Sequence, residues 1–348
     1  MTATAVHNNA ATARLPDTRD LPSRGMSLTS EGVRPAARIS LMQHKMAGSP
    51  RLAQAFYRAY FAVWIPFLAR AATILPPALM YWIARWLVIV PFGLLRPKYG
   101  RAVRGNLSRV LGLPDDHPQV RRAAWRMMFE HAYHWVDFFR WSQLPVERLV
   151  ANVATVEGEE HFDAARAIGR GIVIVTAHMG NPEVGAIAIG KRFAPVHVLY
   201  WRDRFAQAEQ FRTRMRELGN VHGIPVDASP LSVVPALRAL REGHVVAAHA
   251  DRDFNDTGWT FDLFGAPAKF PPGPFLLAER AGALLLPSFF LLEPDRRFRV
   301  VFHEPIDLAG AGDSEVRVRA AMSRWLVLLE AAIRAHPEQW YTFYPFWG

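Results

Sequence analysis

Apolar residues follow two different patterns along the 348 residues of the chain. Between residues 57 and 95 they form an almost unbroken block, whereas from residue 153 onward short apolar runs alternate with amphipathic stretches. The short runs have the length of buried strands, and the amphipathic stretches have helical spacing. This alternation predicts an α/β fold, with a mostly parallel central sheet flanked by helices.

Helix signals divide the second region further. Pro182 and Pro230 stand in the first turns of predicted helices, directly after the capping residues Asn181 and Ser229. The predicted strands are 171–176, 196–200, 245–249, 285–292 and 298–303. The predicted helices are 182–191, 205–218, 230–242, 272–281 and 315–335, and residues 100–150 have an amphipathic helical pattern.

The chain is accordingly predicted to have three parts. Residues 1–48 lack periodicity and predict a disordered basic tail, residues 49–110 predict a hydrophobic helical region that associates with a membrane, and residues 111–348 form the α/β domain. The longest uncharged stretch, 71–84, has 14 residues, fewer than the roughly 20 of a spanning helix. A hairpin or tilted helix in one leaflet is therefore favoured over a spanning helix, and a pair of buried helices is the alternative.

The chain carries a net charge of +10 and contains no cysteine. Its basic residues flank the apolar stretches and form no stripe with interleaved aromatic residues, which favours an anionic membrane surface over nucleic acid as a partner. The absence of cysteine excludes disulfides, thiolate metal sites and a cysteine nucleophile, and it fits a reducing compartment.

A histidine and a glutamate follow the most apolar of the predicted strands. His178 leaves the carboxyl end of strand 171–176, where ligands bind in open α/β sheets, and Glu183 lies in the first turn of the next helix. A carboxylate folded back onto one ring nitrogen would leave the other to take a proton from an alcohol that attacks an acyl carbonyl. In the alternative reading, His178 ends a strand and Glu183 complements a helix dipole.

A second polar group follows the predicted strand 245–249 and is expected at the same edge of the sheet. His249, Asp251 and Asp253 alternate along the chain, so they are candidate ligands of a metal in a metal-dependent hydrolase. Alternatively, Asp251 is a second acid near His178, and Arg252 neutralises an anionic substrate. The third reading is a solvated loop without a function.

The segments "VTAHMGNPEVG" and "ADRDFNDTGWTFDLFGAPAKFPPGPFLLAERAGALLLP" together resemble the bacterial lipid A biosynthesis (lauroyl/myristoyl) acyltransferases. The mycobacterial phosphatidylinositol mannoside acyltransferases belong to the same group. The resemblance extends from about residue 55 to the C-terminus and includes "RAVRGNLSRVLG" and "PEQWYTF". It implies a glycerolipid-acyltransferase-like fold that uses neither a metal nor a bound cofactor.

The resemblance also implies roles for individual residues. His178 is the general base on the acceptor hydroxyl, Glu183 is its charge partner, and Asp251 is a second acidic catalytic residue where mannoside acyltransferases have glutamate. Arg202, or its rival Arg204, contacts a phosphate or polarises the carbonyl. Further candidates for substrate binding are Arg252, Asp253, Asn181 and Gly273.

Two aromatic stretches each allow two interpretations. Either lining of an acyl channel or core packing is expected for the apolar residues of the first stretch, which are Trp259, Phe261, Leu263 and Phe264. Residues 340–347 are expected either to face the membrane or to pack as a C-terminal plug. The proline-rich turn 271–274 either allows the backbone to approach a ligand closely or is a rigid turn before the next helix.

The sequence therefore predicts a membrane-associated O-acyltransferase. Its acyl donor is a thioester of acyl carrier protein or coenzyme A, its acceptor is a hydroxyl of a lipid A-type or phosphatidylinositol mannoside-type precursor, and its location is the cytoplasmic face of the plasma (inner) membrane. The alternatives are the metal-dependent hydrolase built on His249, Asp251 and Asp253, and a non-catalytic membrane adaptor.

Overall fold

A computed structural model describes the sheet and helices expected from the alternating pattern. The described residues are 67, 70–72, 74–95, 97–141, 145–202, 206–227, 229–253 and 256–347. The predicted tail, residues 1–48, lies outside them. The prediction of an α/β fold with a mostly parallel central sheet and flanking helices is confirmed.

The central sheet contains eight strands of the described part of the chain, and β6 and β7 form a separate hairpin. Its order is β1-β9-β8-β2-β5-β3-β4, and β10 pairs with β8. All of these neighbours are parallel except β8 with β9 and β8 with β10. The strands are β1 (Val153–Glu157), β2 (Ile172–Thr176), β3 (Val196–Trp201), β4 (Val221–Val226), β5 (Val245–His249), β6 (Trp259–Leu263), β7 (Ala266–Phe270), β8 (Leu284–Leu292), β9 (Phe298–Phe302) and β10 (Ile306–Asp307).

Helices precede the sheet and connect its strands. A π-helical stretch, Ala84–Ile89, joins the first two helices, and short 3₁₀ helices form at Pro230–Val233 and Pro337–Gln339. The α-helices are α1 (Pro77–Ile83), α2 (Val90–Leu95), α3 (Pro97–Leu111), α4 (Pro118–Trp141), α5 (Val146–Val150), α6 (Glu159–Ala167), α7 (Pro182–Arg192), α8 (Ala206–Leu218), α9 (Val234–Arg241), α10 (Gly273–Ala281) and α11 (Ser314–Ala335).

The central strands β2, β5 and β8 are mostly apolar because the sheet is covered on both faces. In β2, Val173 and Val175 belong to one hydrophobic cluster, and Ile172 and Ile174 belong to the cluster on the opposite face. Full burial of one such side chain contributes about 1.5–3 kcal/mol to folding. These paired clusters fix the centre of the sheet, and thereby the edge at which β2 and β5 end.

Strand β4 is an element that the apolar pattern did not predict. Its sequence contains Gly223 and Pro225, both of which weaken a strand signal. Because β4 pairs only with β3 among the described strands, it lies at the end of the sheet, where a missing N–H donor is tolerated. The predicted helix 230–242 likewise begins as a 3₁₀ turn and becomes α-helical only at Val234.

The part of the apolar block from Pro77 to Leu95 forms a helix that exposes much of its apolar surface. Residues 49–66 of the predicted membrane-associating region lie outside the described residues. The continuous helical segment Pro77–Leu95 has 19 residues and is long and apolar enough to cross a membrane. Met80 and Ala84 are buried on one side. Large exposed apolar side chains along the segment are Leu79, Trp82, Trp86, Leu87, Val88, Phe92, Leu94 and Leu95. Exposed apolar patches of this kind mark interaction surfaces.

A partly buried polar cluster around Asp137 connects this helix to the rest of the protein. Arg296, in the turn between β8 and β9, donates from Nη2 to Asp137 Oδ2 at 2.6 Å and from Nη1 to Glu130 Oε2 at 3.1 Å. Its guanidinium lies over the rings of Tyr81 and Tyr133, at 4.5 and 5.2 Å from the centroids. The Tyr81 hydroxyl donates to Asp137. One arginine from the turn between β8 and β9 therefore contacts both α1 and α4.

Candidate active site

The loop between β2 and α7 carries the first candidate residue. His178 follows the end of β2, and Gly180 turns the chain back with a φ of +54°. A Cβ at Gly180 would lie 1.9 Å from the carbonyl oxygen of Phe290, so no other residue fits this turn without displacement. Asn181 then caps α7, accepting the Val184 N–H at 3.2 Å, as its position before Pro182 predicted.

The second candidate residue comes from the neighbouring strand. Thr176 of β2 pairs in register with His249 of β5, and Ala250 N–H donates to the Thr176 carbonyl at 2.9 Å. His178 and Asp251 therefore emerge side by side. Their side chains meet, with His178 Nδ1 at 2.6 Å from Asp251 Oδ1.

The carboxylate at Nδ1 of His178 is that of Asp251, which corrects the prediction that Glu183 supplies it. Glu183 instead binds Arg216 of α8, whose Nη2 lies 2.7 Å from Oε1 and whose Nε lies 3.2 Å from Oε2. Arg216 is only 4% exposed, so it needs a buried anionic partner. Burial alone would raise the pKa of Glu183, but the Arg216 guanidinium outweighs it and lowers that pKa below its ordinary value.

The His178–Asp251 pair is held as a neutral imidazole beside an ionised carboxylate. Burial opposes ionisation of Asp251, but the His178 imidazole and the Arg252 guanidinium outweigh burial and lower the pKa of Asp251. Burial, reinforced by Arg252, lowers the pKa of His178 below 6.5, and the pull of Asp251 in the other direction is smaller. With Nδ1–H donated to Asp251, the basic lone pair of the neutral ring lies on Nε2.

The C-terminal segment contacts both members of the pair. Trp340 Nε1–H donates to the second carboxylate oxygen of Asp251 at 3.1 Å, and Tyr341 N–H donates to the backbone carbonyl of His178 at 3.2 Å. Trp340 is 1% exposed and belongs to the main hydrophobic core. Trp340 therefore packs inward, as expected of a plug, beside the site. Sequence reasoning missed these contacts, although "PEQWYTF" was part of the family resemblance.

The other two candidate metal ligands, His249 and Asp253, each make contacts of their own. The His249 ring stacks on His178 at 4.1 Å, and burial first and His178 second hold its pKa well below 6.5. Asp253 accepts the N–H of Gly258 at 2.7 Å. Within the part of the chain that the structure describes, no group of three or more His, Asp or Glu side chains could hold a metal ion. The metal cluster of His249, Asp251 and Asp253 is therefore contradicted.

Among the described residues, the remaining candidates for substrate binding lie in different parts of the fold. Arg252 Nε lies 3.9 Å from Asp251 Oδ2, and its Nη2 donates to the Tyr341 carbonyl. Arg202 is exposed directly after β3, Gly273 is exposed at the start of α10, and Arg204 lies outside the described residues. In the aromatic stretch proposed as an acyl channel, Leu263 is fully buried and Trp259, Phe261 and Phe264 pack partly buried against the main core.

Comparison with known proteins identifies the family of the chain. The family described as bacterial lipid A biosynthesis acyltransferase matches residues 54–348. The chain belongs to this family. It is similar to the phosphatidylinositol mannoside acyltransferase of Mycobacterium tuberculosis, with 28% identity over 250 residues that cover 70% of this chain and 76% of that protein. The enzyme of the same name from Mycolicibacterium smegmatis is 26% identical over 250 residues, covering 70% of this chain and 78% of that protein.

Membership of the lipid A biosynthesis acyltransferase family confirms the resemblance stated from the sequence motifs. It also identifies the chain as an acyltransferase. The match includes the apolar helix, the whole sheet and the C-terminal segment, so every element that contributes to the candidate site lies within the family region.

Proposed function

We propose that this acyltransferase is a membrane-associated O-acyltransferase. It moves a fatty acyl chain from a thioester of acyl carrier protein or coenzyme A to a hydroxyl of a phosphatidylinositol mannoside-type or lipid A-type precursor. The family supports the reaction class, and the names of the mycobacterial relatives support the acceptor class. The observation that carries the proposal is the 2.6 Å contact between His178 and Asp251 at the carboxyl edge of the parallel sheet.

The proposed reaction needs one base and no nucleophile from the protein. Nε2 of His178 takes the proton of the acceptor hydroxyl while that oxygen attacks the thioester carbonyl. The tetrahedral intermediate expels the thiolate, which recovers the proton from the imidazolium, and an ester forms as the thioester breaks. Asp251 stabilises the imidazolium between these steps. General-base assistance of this kind contributes about 10²–10⁴-fold to the rate.

Arginine side chains near the His178–Asp251 dyad are proposed to bind the anionic parts of the substrates. Arg252 is 18% exposed and adjoins Asp251, and Arg202 is exposed at the same edge of the sheet, after β3. Arg204 is proposed as a further contact. Phosphopantetheine donors and phospholipid acceptors both carry phosphate, for which arginine is a preferred partner. The Glu183–Arg216 pair is proposed to support the loop that carries His178, because Glu183 opens α7 directly after that loop.

The pH dependence should reflect the charge balance around His178. Because the base acts in its neutral form and its pKa is lowered from 6.5, activity should persist as the pH falls below that value. We expect kcat/KM to fall on the acid side of its pH profile, the acid limb, only below pH 6.5. Arg252→Gln should move this limb to higher pH, because removing the positive charge raises the pKa of His178. The exposed Arg280→Gln on α10 is the control that should leave the limb in place. A limb above pH 6.5 in the unmodified enzyme would contradict this assignment.

Membrane association is proposed to rest on the exposed apolar side of Pro77–Leu95, at the cytoplasmic face of the inner membrane, where acyl thioesters are available. Trp82 and Trp86 are 53% and 47% exposed there, and tryptophan favours the headgroup region. Replacing both by serine should weaken binding to phosphatidylglycerol-containing vesicles about tenfold or more in a flotation assay. The control is serine at Val316 and Val327, which are also well exposed, and equal losses in both double variants would contradict the assignment.

A direct test of the proposed reaction uses the purified protein with palmitoyl-coenzyme A or palmitoyl-acyl carrier protein and a bacterial lipid extract. Mass spectrometry should detect a glycolipid or phospholipid species that gains one acyl group, ester-linked and released by mild alkali. Absence of such a product with both donors and with extracts rich in either acceptor class would contradict the proposal. An alkali-stable product would place the acyl group on nitrogen and contradict the O-acyl assignment.

A further inference from the structure

The end of the chain is anchored at the carboxyl edge of the sheet. Gln339 clamps the end of β8 through two hydrogen bonds, since its Oε1 accepts Leu292 N–H at 2.8 Å and its Nε2 donates to the Leu292 carbonyl at 2.7 Å. Its own carbonyl accepts Gly180 N–H at 3.2 Å. Met179 and Trp340 form an antiparallel bridge. Residues 339–341 are therefore paired with the loop that carries His178.

This anchoring presents one indole N–H to the catalytic pair. Asp251 is 0% exposed, so its two carboxylate oxygens depend on protein donors. Oδ1 faces His178 Nδ1 at 2.6 Å, and Oδ2 accepts Trp340 Nε1–H at 3.1 Å. A carboxylate that is held at both oxygens cannot rotate without breaking a charge-assisted hydrogen bond. The ring that it holds therefore has one orientation.

We propose that Trp340 is a positioning residue for the acyl transfer, whose indole N–H fixes Asp251 so that Nε2 of His178 faces the acceptor hydroxyl. This inference rests on the proposed function. The N–H also withdraws negative charge from the carboxylate, so its loss should strengthen the pull of Asp251 on His178 and raise the pKa of the imidazole. Trp340 touches neither the substrate nor the reacting atoms in this role.

The experiment compares three variants of the full-length protein. Trp340→Phe removes the N–H and part of the ring, whereas replacing Trp340 by benzothienylalanine removes only the N–H and keeps the shape. The matched control is Trp325→Phe, because Trp325 is 0% exposed and its Nε1 has no hydrogen-bond partner among the described residues. Packing is thus disturbed at both tryptophans, but a hydrogen bond is lost only at Trp340.

Both variants at Trp340 should lower kcat about 10- to 100-fold, the effect of losing one hydrogen bond to a charged group. KM should stay within about twofold, and the acid limb of kcat/KM should move to higher pH by about half a unit or more. Trp325→Phe should leave the limb in place. Unchanged kcat and an unmoved limb in the benzothienylalanine variant would overturn the inference, because only the N–H has been removed there.

A second measurement separates this inference from the proposed reaction. The imidazole of His178 can be titrated by NMR, with the signal assigned through its loss in His178→Gln. A higher pKa in the benzothienylalanine variant than in the unmodified protein supports the inference even if no acyl transfer is found. Equal pKa values in the two proteins would overturn it, whatever the outcome of the transfer assay.

Discussion

Replacing His178 by alanine is expected to lower the rate of acyl transfer about 100-fold or more, because the proposed general base is then lost. The neighbouring His249 is stacked on His178 and its pKa is held well below 6.5, so it is a much weaker base. His178 is 28% exposed in a loop, so its loss should leave folding and membrane association intact. The measurements are initial rates with palmitoyl thioesters, thermal unfolding and vesicle flotation.

The control for this variant is His244→Ala. His244 is 49% exposed and precedes β5, so it lies at the opposite edge of the sheet from the dyad. We expect the rate of this variant to equal that of the unmodified enzyme. A purified His178→Ala protein with a rate within about tenfold of the unmodified enzyme would show that the base is assigned to the wrong residue.

The sequence predicted most directly the central strands, whose environment is nearly the same along their whole length. Strands β2, β5 and β8 are buried on both faces, so each one is a mostly apolar run in the sequence. The strands that it did not predict lie in mixed surroundings, although β3 and β9, whose burial also alternates, were predicted. Two of the five residues of β1 are exposed, β4 contains glycine and proline at the end of the sheet, and the β6–β7 hairpin lies outside the main sheet.

The position of the candidate site was predictable because it follows from topology. Parallel strands end at one edge, so the residues after β2 and β5 had to lie close together. The pairing of the side chains was not predictable, because two acids were available to His178 and the choice depends on a third element. Arg216 of α8 forms an ion pair with Glu183. Because of this contact between distant parts of the sequence, the imidazole of His178 is paired with Asp251 and not with Glu183.

The same limit applies to the C-terminal segment. Its aromatic residues indicated either a membrane-facing end or a buried plug, and composition cannot distinguish them. Which of the two forms depends on partners about 90 to 160 positions earlier in the chain. Trp340 Nε1–H donates a hydrogen bond to the Asp251 carboxylate, and Tyr341 N–H donates one to the His178 carbonyl. A hydrogen-bond donor buried in a core needs such a partner, but the sequence does not say which acceptor supplies it.

Replacing Arg296 by methionine is expected to cost about 3–5 kcal/mol in the free energy of unfolding. Asp137 is only 3% exposed, and its carboxylate depends on Arg296 Nη2 at 2.6 Å. Without the guanidinium, Asp137 keeps a hydrogen bond from Tyr81 and a weaker attraction to Arg140, but its buried carboxylate loses the cation that is hydrogen-bonded to it. The cation–π contacts with Tyr81 and Tyr133 are lost as well. Urea unfolding in detergent, followed by circular dichroism, measures the change.

The control is Arg192→Met, which breaks an ion pair with Glu159 whose side chains are 47% and 37% exposed. That variant should cost less than about 1 kcal/mol, because exposed ion pairs contribute little. Adding Asp137→Asn to Arg296→Met should recover part of the lost stability, since the charge of the buried carboxylate is then gone. If Arg296→Met cost no more than Arg192→Met, the partly buried cluster around Asp137 would not anchor α1 to the sheet, and the apolar helix would depend on its packing against α4 alone.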